Sequence, residues 1–380
     1  MIKGIIPLKL LELYKNRKRN TRYLKFIQSF TSFSNGFKKG VFTLFSSTQF
    51  TSSLYYVLFS SSFRRENQYV LKGKLEYIRA LNQAEGNSFL LRRNIHRLEK
   101  GLLMKPRRPV FAVDYISETV DAYININKSL HDISFNVDHG LIKWSSDVLE
   151  SYFSIIGENE IVDKAKKSFE TFKEADTTIE VDDVKYIPYE RSLKEAKLKI
   201  PNFDQFLELT KFRRSVRWFE DKPVPRELID KAIEAAVYAP SACNRQPFEF
   251  RVLDDFDLVQ EAVKLPNGTA GYSQNVPVLI VVVGKLDAYF SERDRHLIYI
   301  DSALASMGLV FALETMGLSS CCINWPDIEK LEKRMSTLLK LSNTERPVMC
   351  LALGYPDSSG KVAYSKKKSL NKIRRYNYEY

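Results

Sequence analysis

Cysteine and histidine are both scarce in this 380-residue chain, with four residues of each. Cys243, Cys321, Cys322 and Cys350 all fall in the C-terminal half and show no CxxC spacing, which argues against a disulfide framework and a zinc site and fits a reducing cytoplasm. His96, His131 and His139 have no ligand-like spacing, so no metal is assigned. Cys321 and Cys322 adjoin in the apolar, strand-like run SSCCIN and read as buried, inert thiols. No cleavable signal is evident, because MIKGIIPLKLLELYKNRKRN has only a brief apolar stretch and no small-residue cleavage site before the next charges. Residues 41–63 lack charge over a length that could cross a bilayer, yet nearly half of them are Ser, Thr or Gln, which argues against a transmembrane helix. Zinc-finger spacing and an aromatic RNP-like strand are missing too, which sets nucleic acid aside although the net charge is +12.

With 44% hydrophobic and 27% charged residues, the chain has the composition of a folded protein long enough for two domains. Residues 1–70 mix Lys, Arg, Phe, Tyr, Ser and Leu, with basic clusters at residues 15–19 and at Lys38 and Lys39. That mixture suits an anionic membrane surface or a partner; a helical subdomain with a solvated basic face is the plainer reading and is preferred. Residues 71–176 carry apolar positions three or four apart in YVLKGKLEYIRALNQ, VFAVDYISETVDAYININKSL and HGLIKWSSDVLESYFSII, which predicts a domain of three or four helices. Between the first two of these runs lies the densely polar RRNIHRLEKGLLMKPRRPVF, suited to a phosphorylated or carboxylated ligand. His96 and Glu99 share a helix face there, and a solvated or ion-paired surface is preferred over acid and base chemistry. Residues 164–199 are strongly charged, show little continuous apolar periodicity and contain a linker, placed at 177–200.

From residue 201 to the end the element types alternate. NFDQFLELTKF is helix-like, and a helix over 225–238 is followed by the strands FEFRVL and PVLIVVVG. A long helix over 294–316, the strand SCCIN, the short helix IEKLEKRMSTLL and the strand VMCLALGYP complete an α and β layer domain over 201–380. Pro225 and Gly317 are a helix start and a helix stop.

Within FRRSVRWF, residues Arg213, Arg214, Ser215 and Arg217 fall inside five positions, a concentration suited to charge-assisted bonds with a phosphate and an electron-rich ring edge. About twenty residues on, AAVYAPSACNRQPFEFRVL ends a helix, turns at Pro240 and Ser241, and places Asn244 and Gln246 before a strand. Arg-Arg-Ser-x-Arg, a helix, then Ala-Pro-Ser-x-x-Asn-x-Gln-Pro resembles the nitroreductase family of FMN-dependent oxidoreductases, and the likeness runs over about residues 204–373. YIDSALASMGLVFALETMGLSSCCINW looks like the family's core helix and following strand, and LALGYPDSSGKVAYSKKKSLNKI like its closing strand, turn and basic cluster.

The resemblance implies an α+β, FMN-binding sandwich preceded by a mainly α-helical N-terminal region. It implies that Arg213, Arg214 and Ser215 hold the phosphate and ribityl end, with Lys366 and Lys367 adding charge, while Arg217 faces the pyrimidine edge. Pro240, Ser241, Asn244 and Gln246 would line the flavin from the other subunit of an obligate homodimer, and main-chain amides near Ile323 and Asn324 would lie by N5 and O4. The final Lys-Lys-Lys stands where the family often has Lys and Arg, so the bidentate grip of an Arg is missing. The implied reaction passes hydride from NADH or NADPH to a small oxidised acceptor by a ping-pong route, with the bond chemistry on the cofactor and no catalytic side chain assigned. The N-terminal region with its IHRLEKGL segment is similar to that of nitroreductase-like proteins found with bacterial surface-polysaccharide genes. That implies a polysaccharide-pathway or peripheral membrane partner through residues 1–195, and a place in the cytoplasm or at the inner face of the membrane. The alternative is a flavin-binding scaffold or sensor in such an assembly.

Overall fold

The computed structural model describes residues 37–81, 87–129, 138–175, 184–192 and 199–377. The basic cluster at 15–19, His131 and most of the expected linker lie outside the described residues. The chain divides into two compact units, Met1–Arg65 and Glu66–Tyr380.

In the first unit the uncharged stretch is not one helix. A helical segment over 37–45 stops at a turn, and Thr48 restarts the chain as the N-cap of α1 (Gln49–Leu58). Thr48 and Thr51 satisfy each other's main-chain amides there in a capping box.

Five helices follow: α2 (Arg64–Leu81), α3 (Ser88–Leu102), α4 (Ile116–Lys128), α5 (His139–Ile155) and α6 (Glu160–Ala175). All five lie in or overlap the stretch whose patterning reads as helical, and two of them show what the pattern alone did not. The polar segment at 92–111 opens as part of α3, which buries Asn94 and packs Leu90, Leu91, Ile95 and Leu98 in the core shared by α3 to α6. The charged stretch from Lys164 continues as helix to Ala175, because Val162, Ala165 and Phe169 form a narrow apolar stripe among lysines and glutamates. Only three of its sixteen residues are buried, so the periodic signal is weak, and burial of that one face decides the helix.

The remainder contains α7 (Phe203–Phe212), α8 (Arg226–Ala236), β1 (Phe248–Leu253), α9 (Phe256–Ala262), β2 (Val278–Lys285), α10 (Leu297–Thr315), β3 (Ser319–Asn324), α11 (Glu329–Leu339) and β4 (Glu345–Gly354). The strands and longer helices fall where the patterning predicts them. The seven-residue α9, capped by Asp255, is too short to show a period and was not foreseen. The sheet is antiparallel throughout, in the order β1-β2-β4-β3. Seven of the eight residues of the inner strand β2 are buried. Its Leu279, Val281 and Val283 pack toward α9 and α11, and its Val278, Ile280 and Val282 toward α8 and α10, so the sheet is covered on both faces. The fold is therefore α+β.

Two local devices set the strands. Gly317, at φ +74°, closes α10 with Leu318 N–H donating to Leu313 O at 3.0 Å, which turns the chain directly into β3. Pro347 interrupts the ladder of β4 where its register against β2 shifts, a place where a missing N–H is tolerated.

Beside the sheet, Glu332 is buried and accepts from Trp325 Nε1 at 2.8 Å and from the buried Arg346 at 3.4 Å. Glu332→Ala is expected to leave that guanidinium with only the more exposed Asp327, also at 3.4 Å, and to lower unfolding stability in urea by about 3 kcal/mol. A loss under about 1 kcal/mol would show that the pair is dispensable.

Candidate functional site

Residues 213–220 leave α7 and run as an extended segment along the outer edge of the sheet. Ser215 bridges Ser320 of the edge strand β3, with Val216 N–H donating to Ser320 O at 3.0 Å. Farther on, Glu220 N–H donates to Tyr355 O at 2.9 Å, and Asp357 N–H to Trp218 O at 3.0 Å. The Asn275 side chain closes the tie, accepting from Phe219 N–H at 2.5 Å and donating to Phe219 O at 2.9 Å. Gly354 permits the close approach, because a Cβ there would stand 3.0 Å from the Phe219 ring and 2.7 Å from Pro277.

This tie distributes the cations along β3. Arg213 lies towards α10, where its charge reaches Glu314 and Cys322. Burial pushes the Glu314 carboxyl above its usual range, against a hydrogen bond from Ser319 and the charge of Arg213. Arg213 Nε is buried and has no hydrogen-bond partner among the described residues. Arg217 extends towards the other layer, its guanidinium 5.9 Å from the centre of the Tyr272 ring. Burial, with the Cys321 thiol nearby, pushes the Tyr272 phenol up to about 12. Ser215 stands between the two arginines, and Arg214 is half-buried.

Because Ser320 turns its carbonyl outward to Val216, the alternate residues Cys322 and Asn324 also turn their main-chain groups to the free edge, and Ile323 turns towards β4. Of the two residues singled out on β3, Asn324 thus presents an outward amide, and Cys322 joins it. The side chain of Cys322 is exposed, which corrects the expectation of a buried pair; Cys321 alone is buried, packed in the layer with Ile323. Strand alternation on an edge explains the difference, since odd and even residues face opposite sides.

The second motif forms a tight turn ahead of β1. Cys243, Asn244 and Gln246 have φ of 54°, 51° and 49°, a left-handed conformation that costs about 1–2 kcal/mol per non-glycine residue. The turn is held by Gln246 N–H donating to Ser241 Oγ at 3.1 Å, Gln246 Nε2 to Asn244 Oδ1 at 3.0 Å, and Ala242 N–H to Asp301 Oδ2 at 3.0 Å. Pro240 is exposed at its start. Asp301, on α10, also accepts from Tyr289 Oη at 3.1 Å, and Arg245 is buried over the Tyr289 ring. Burial pushes the Asp301 carboxyl up, and the Ala242 amide, Tyr289 and the charge of Arg245 pull the other way. Asp301, Tyr289 and Arg245 escaped the sequence reading; an aspartate within the apolar run YIDSALASM was the available signal.

The two motifs do not meet within one chain. Ser215 stands in the sheet row of Ser320, Leu353 and Val278, while Gln246 precedes the row of Phe248, Gly284 and Arg346. Six residues of β2 and four strand spacings, counting the step from Ser215 to β3, separate the two motifs, about 20 Å along the strands and about 19 Å across them. The motifs occupy diagonally opposite corners of the sheet, roughly 28 Å apart. Lys366 and Lys367 lie in an exposed segment after β4.

Residues 210–355 match the sequence profile of the nitroreductase family. The chain carries a nitroreductase-family domain. A Methanothermobacter thermautotrophicus protein named "Putative NADH dehydrogenase/NAD(P)H nitroreductase" is 29% identical over 159 residues, 40% of this chain and 76% of that protein. Human iodotyrosine deiodinase 1 is 24% identical over 220 residues, 50% of this chain and 75% of that protein. Among solved structures, an NADH dehydrogenase/NAD(P)H nitroreductase from Parabacteroides distasonis, also named putative, is 27% identical with a TM-score of 0.41, covering 46% of this chain and 99% of its own.

The matched residues include both motifs and β3 and stop ahead of Lys366. Helices ahead of them reach the second motif: α3 packs on the turn at 242–244, and Tyr69, Val70 and Phe89 cover Tyr289 and Leu286 together with Ala242. Arg93 donates to Tyr77 Oη at 3.4 Å and lies 5.5 Å from the Phe290 ring, extending that contact. His96 and Glu99 lie apart from this, with His96 Nδ1 3.8 Å from Glu99 Oε2 and Glu99 accepting from Trp144 Nε1 at 3.0 Å.

Asp301→Ala is expected to loosen the turn at 241–246, speeding amide exchange at Ala242 about ten- to hundredfold while β2 keeps its protection. Unchanged exchange at Ala242 would show that the turn holds itself.

Proposed function

We propose that the nitroreductase domain binds one FMN per site and uses it to pass hydride from NADH or NADPH to a small oxidised acceptor by a ping-pong route. The observation that carries the cofactor assignment is Arg213: a buried guanidinium nitrogen with no hydrogen-bond partner among the described residues, beside Ser215 and Arg214 at the edge of the sheet, fits a phosphate group. Bound FMN would supply the redox chemistry. The chain's part is to hold and tune it. Arg213, Arg214 and Ser215 would fix the phosphate end, with Lys366 and Lys367 contributing charge, and the outward amides of Asn324 and Cys322 would offer donors to a polar ring edge. Arg217 would place a cation where electron uptake builds negative charge.

The turn bearing Pro240, Ser241, Asn244 and Gln246 would serve the site of a second copy. Two features support a homodimer: the roughly 28 Å between the motifs in one chain, and the exposed Ile300, Leu304 and Met307, which line one face of α10 at i, i+4 and i+7. That face is continuous with Asp301, which holds the turn. The relatives named nitroreductases and iodotyrosine deiodinases support nitro compounds and iodotyrosines as acceptor classes. A flavin-binding scaffold is the second reading, and a reduction rate separates the two.

The protein is expected to be isolated yellow, or to take up FMN in a fluorescence titration, and to bleach rapidly when mixed with NADH or NADPH without oxygen. Arg213→Ala is expected to weaken FMN binding by about ten- to a hundredfold, the loss of one or two charge-assisted bonds. Colourless protein that ignores added FMN contradicts the proposal; slow bleaching of a yellow protein favours the scaffold. Arg217→Ala is expected to lower the midpoint potential of the bound flavin in a spectroscopic redox titration, and an unshifted potential would remove Arg217 from that role.

A further inference from the structure

The basic excess of the chain is confined to one end. Residues 1–65 hold twelve Lys and Arg against the single acid Glu12, a net +11 of the total +12, so residues 66–380 are almost neutral. The described part of this unit holds its long uncharged run. Residues 41–63 carry no charged side chain, with Lys38 and Lys39 before them and Arg64 after. Helix α1 has no buried residue, and Phe50, Leu54, Val57 and Leu58, at i, i+4, i+7 and i+8, form one stripe exposed by 78%, 37%, 63% and 58%. The opposite face is spent internally: Tyr55 and Phe59 stack on Phe45 at 5.7 and 5.5 Å, and Tyr55 meets Phe42 at 5.8 Å. Phe37 and Leu44 are exposed as well.

The Ser and Thr content that argues against a membrane in the bare sequence has a different meaning here. Thr43 donates to Lys39 O at 2.8 Å, Ser47 to Leu44 O at 2.7 Å, Thr51 and Ser52 to Phe45 O at 2.9 Å, and Ser53 to Gln49 O at 2.9 Å. Hydroxyls already bonded to local carbonyls lose little on leaving water, so they barely oppose the transfer of the neighbouring aromatic side chains. A ten-residue helix is about 15 Å long, half the hydrocarbon thickness of a bilayer. It can enter one leaflet but not cross two.

We infer that residues 37–64 dock the protein on an anionic phospholipid bilayer, with the Phe50, Leu54, Val57 and Leu58 face of α1 inserted into one leaflet and Lys38, Lys39 and Arg64 at the headgroups. The apolar stripe anchors, and the +11 charge gathers the protein to the surface; neither alone gives stable attachment. A duplex nucleic acid accounts for the charge but not for the uncharged aromatic face. The inference is independent of the redox reading.

Flotation of the full chain with phosphatidylcholine vesicles, with and without phosphatidylglycerol, tests this. The protein is expected to float with the anionic vesicles, to float weakly with neutral ones, and to remain partly bound at high salt. The combined variant Phe50→Ser, Val57→Ser and Leu58→Ser changes only exposed positions, so its thermal unfolding should match the parent, while binding falls roughly tenfold or more. Phe50→Trp is expected to give blue-shifted indole emission quenched by brominated lipid. Absence of flotation, flotation that the triple variant keeps in full, or complete release by salt with no lipid quenching of the introduced indole would each overturn the inference. So would a vesicle-free oligomer that the triple variant dissolves, because a second copy would then cover the face, or binding to duplex DNA in place of vesicles.

Discussion

The docking of residues 215–220 against the rim of the sheet is the constraint on which the candidate site depends. A run of five residues with three arginines would otherwise be a solvated turn. Two main-chain bridges, to Ser320 and to Tyr355 and Pro356, and the paired hydrogen bonds of Asn275 to Phe219 force it to follow the sheet. Arg213 and Arg217 then have no freedom to converge; they straddle β3, one towards Glu314 and one towards Tyr272. An elongated anionic ligand suits that spacing better than a compact one. The same tie selects which amides of β3 face outward, through the fixed alternation of a strand.

The opposite corner is organised by a different force. A turn with three non-glycine residues in the left-handed region persists only because its surroundings over-determine it, and here the surroundings are a buried aspartate, a tyrosine and an arginine. Helices α2 and α3 press on that cluster from outside the nitroreductase domain. The N-terminal helices are thus joined to the turn by packing, and removing them would expose Tyr289 and Leu286 as well as delete a neighbour.

Much of this was legible in the sequence, for physical reasons that differ by element. Strand β2 is an unbroken apolar run because both its faces are covered, and α10 announces its end with Gly317. The Arg213 and Asn244 motifs were readable because their residue types follow from chemistry and not from packing. What stayed hidden depends on tertiary position: the apolar stripe of α6 among charges, the outward turn of Cys322, and Asp301 as the acceptor that fixes a turn 59 residues away. The hydroxyl bonds of residues 43–53 were equally invisible, since composition counts a serine as polar whether or not its donor is already used.

If the two corners belong to one functional site, that site must be assembled from two chains. Subunit complementation measures this directly: one chain carries Arg213→Ala with Arg217→Ala, the other Asn244→Ala with Gln246→Ala, and FMN binding is followed in the unfolded and refolded mixture. The account predicts recovery of about a quarter of the parental sites, since half the dimers formed at random are mixed and each restores one site of two. A mixture that binds no more FMN than either variant alone would place both halves of the site in a single chain and contradict it.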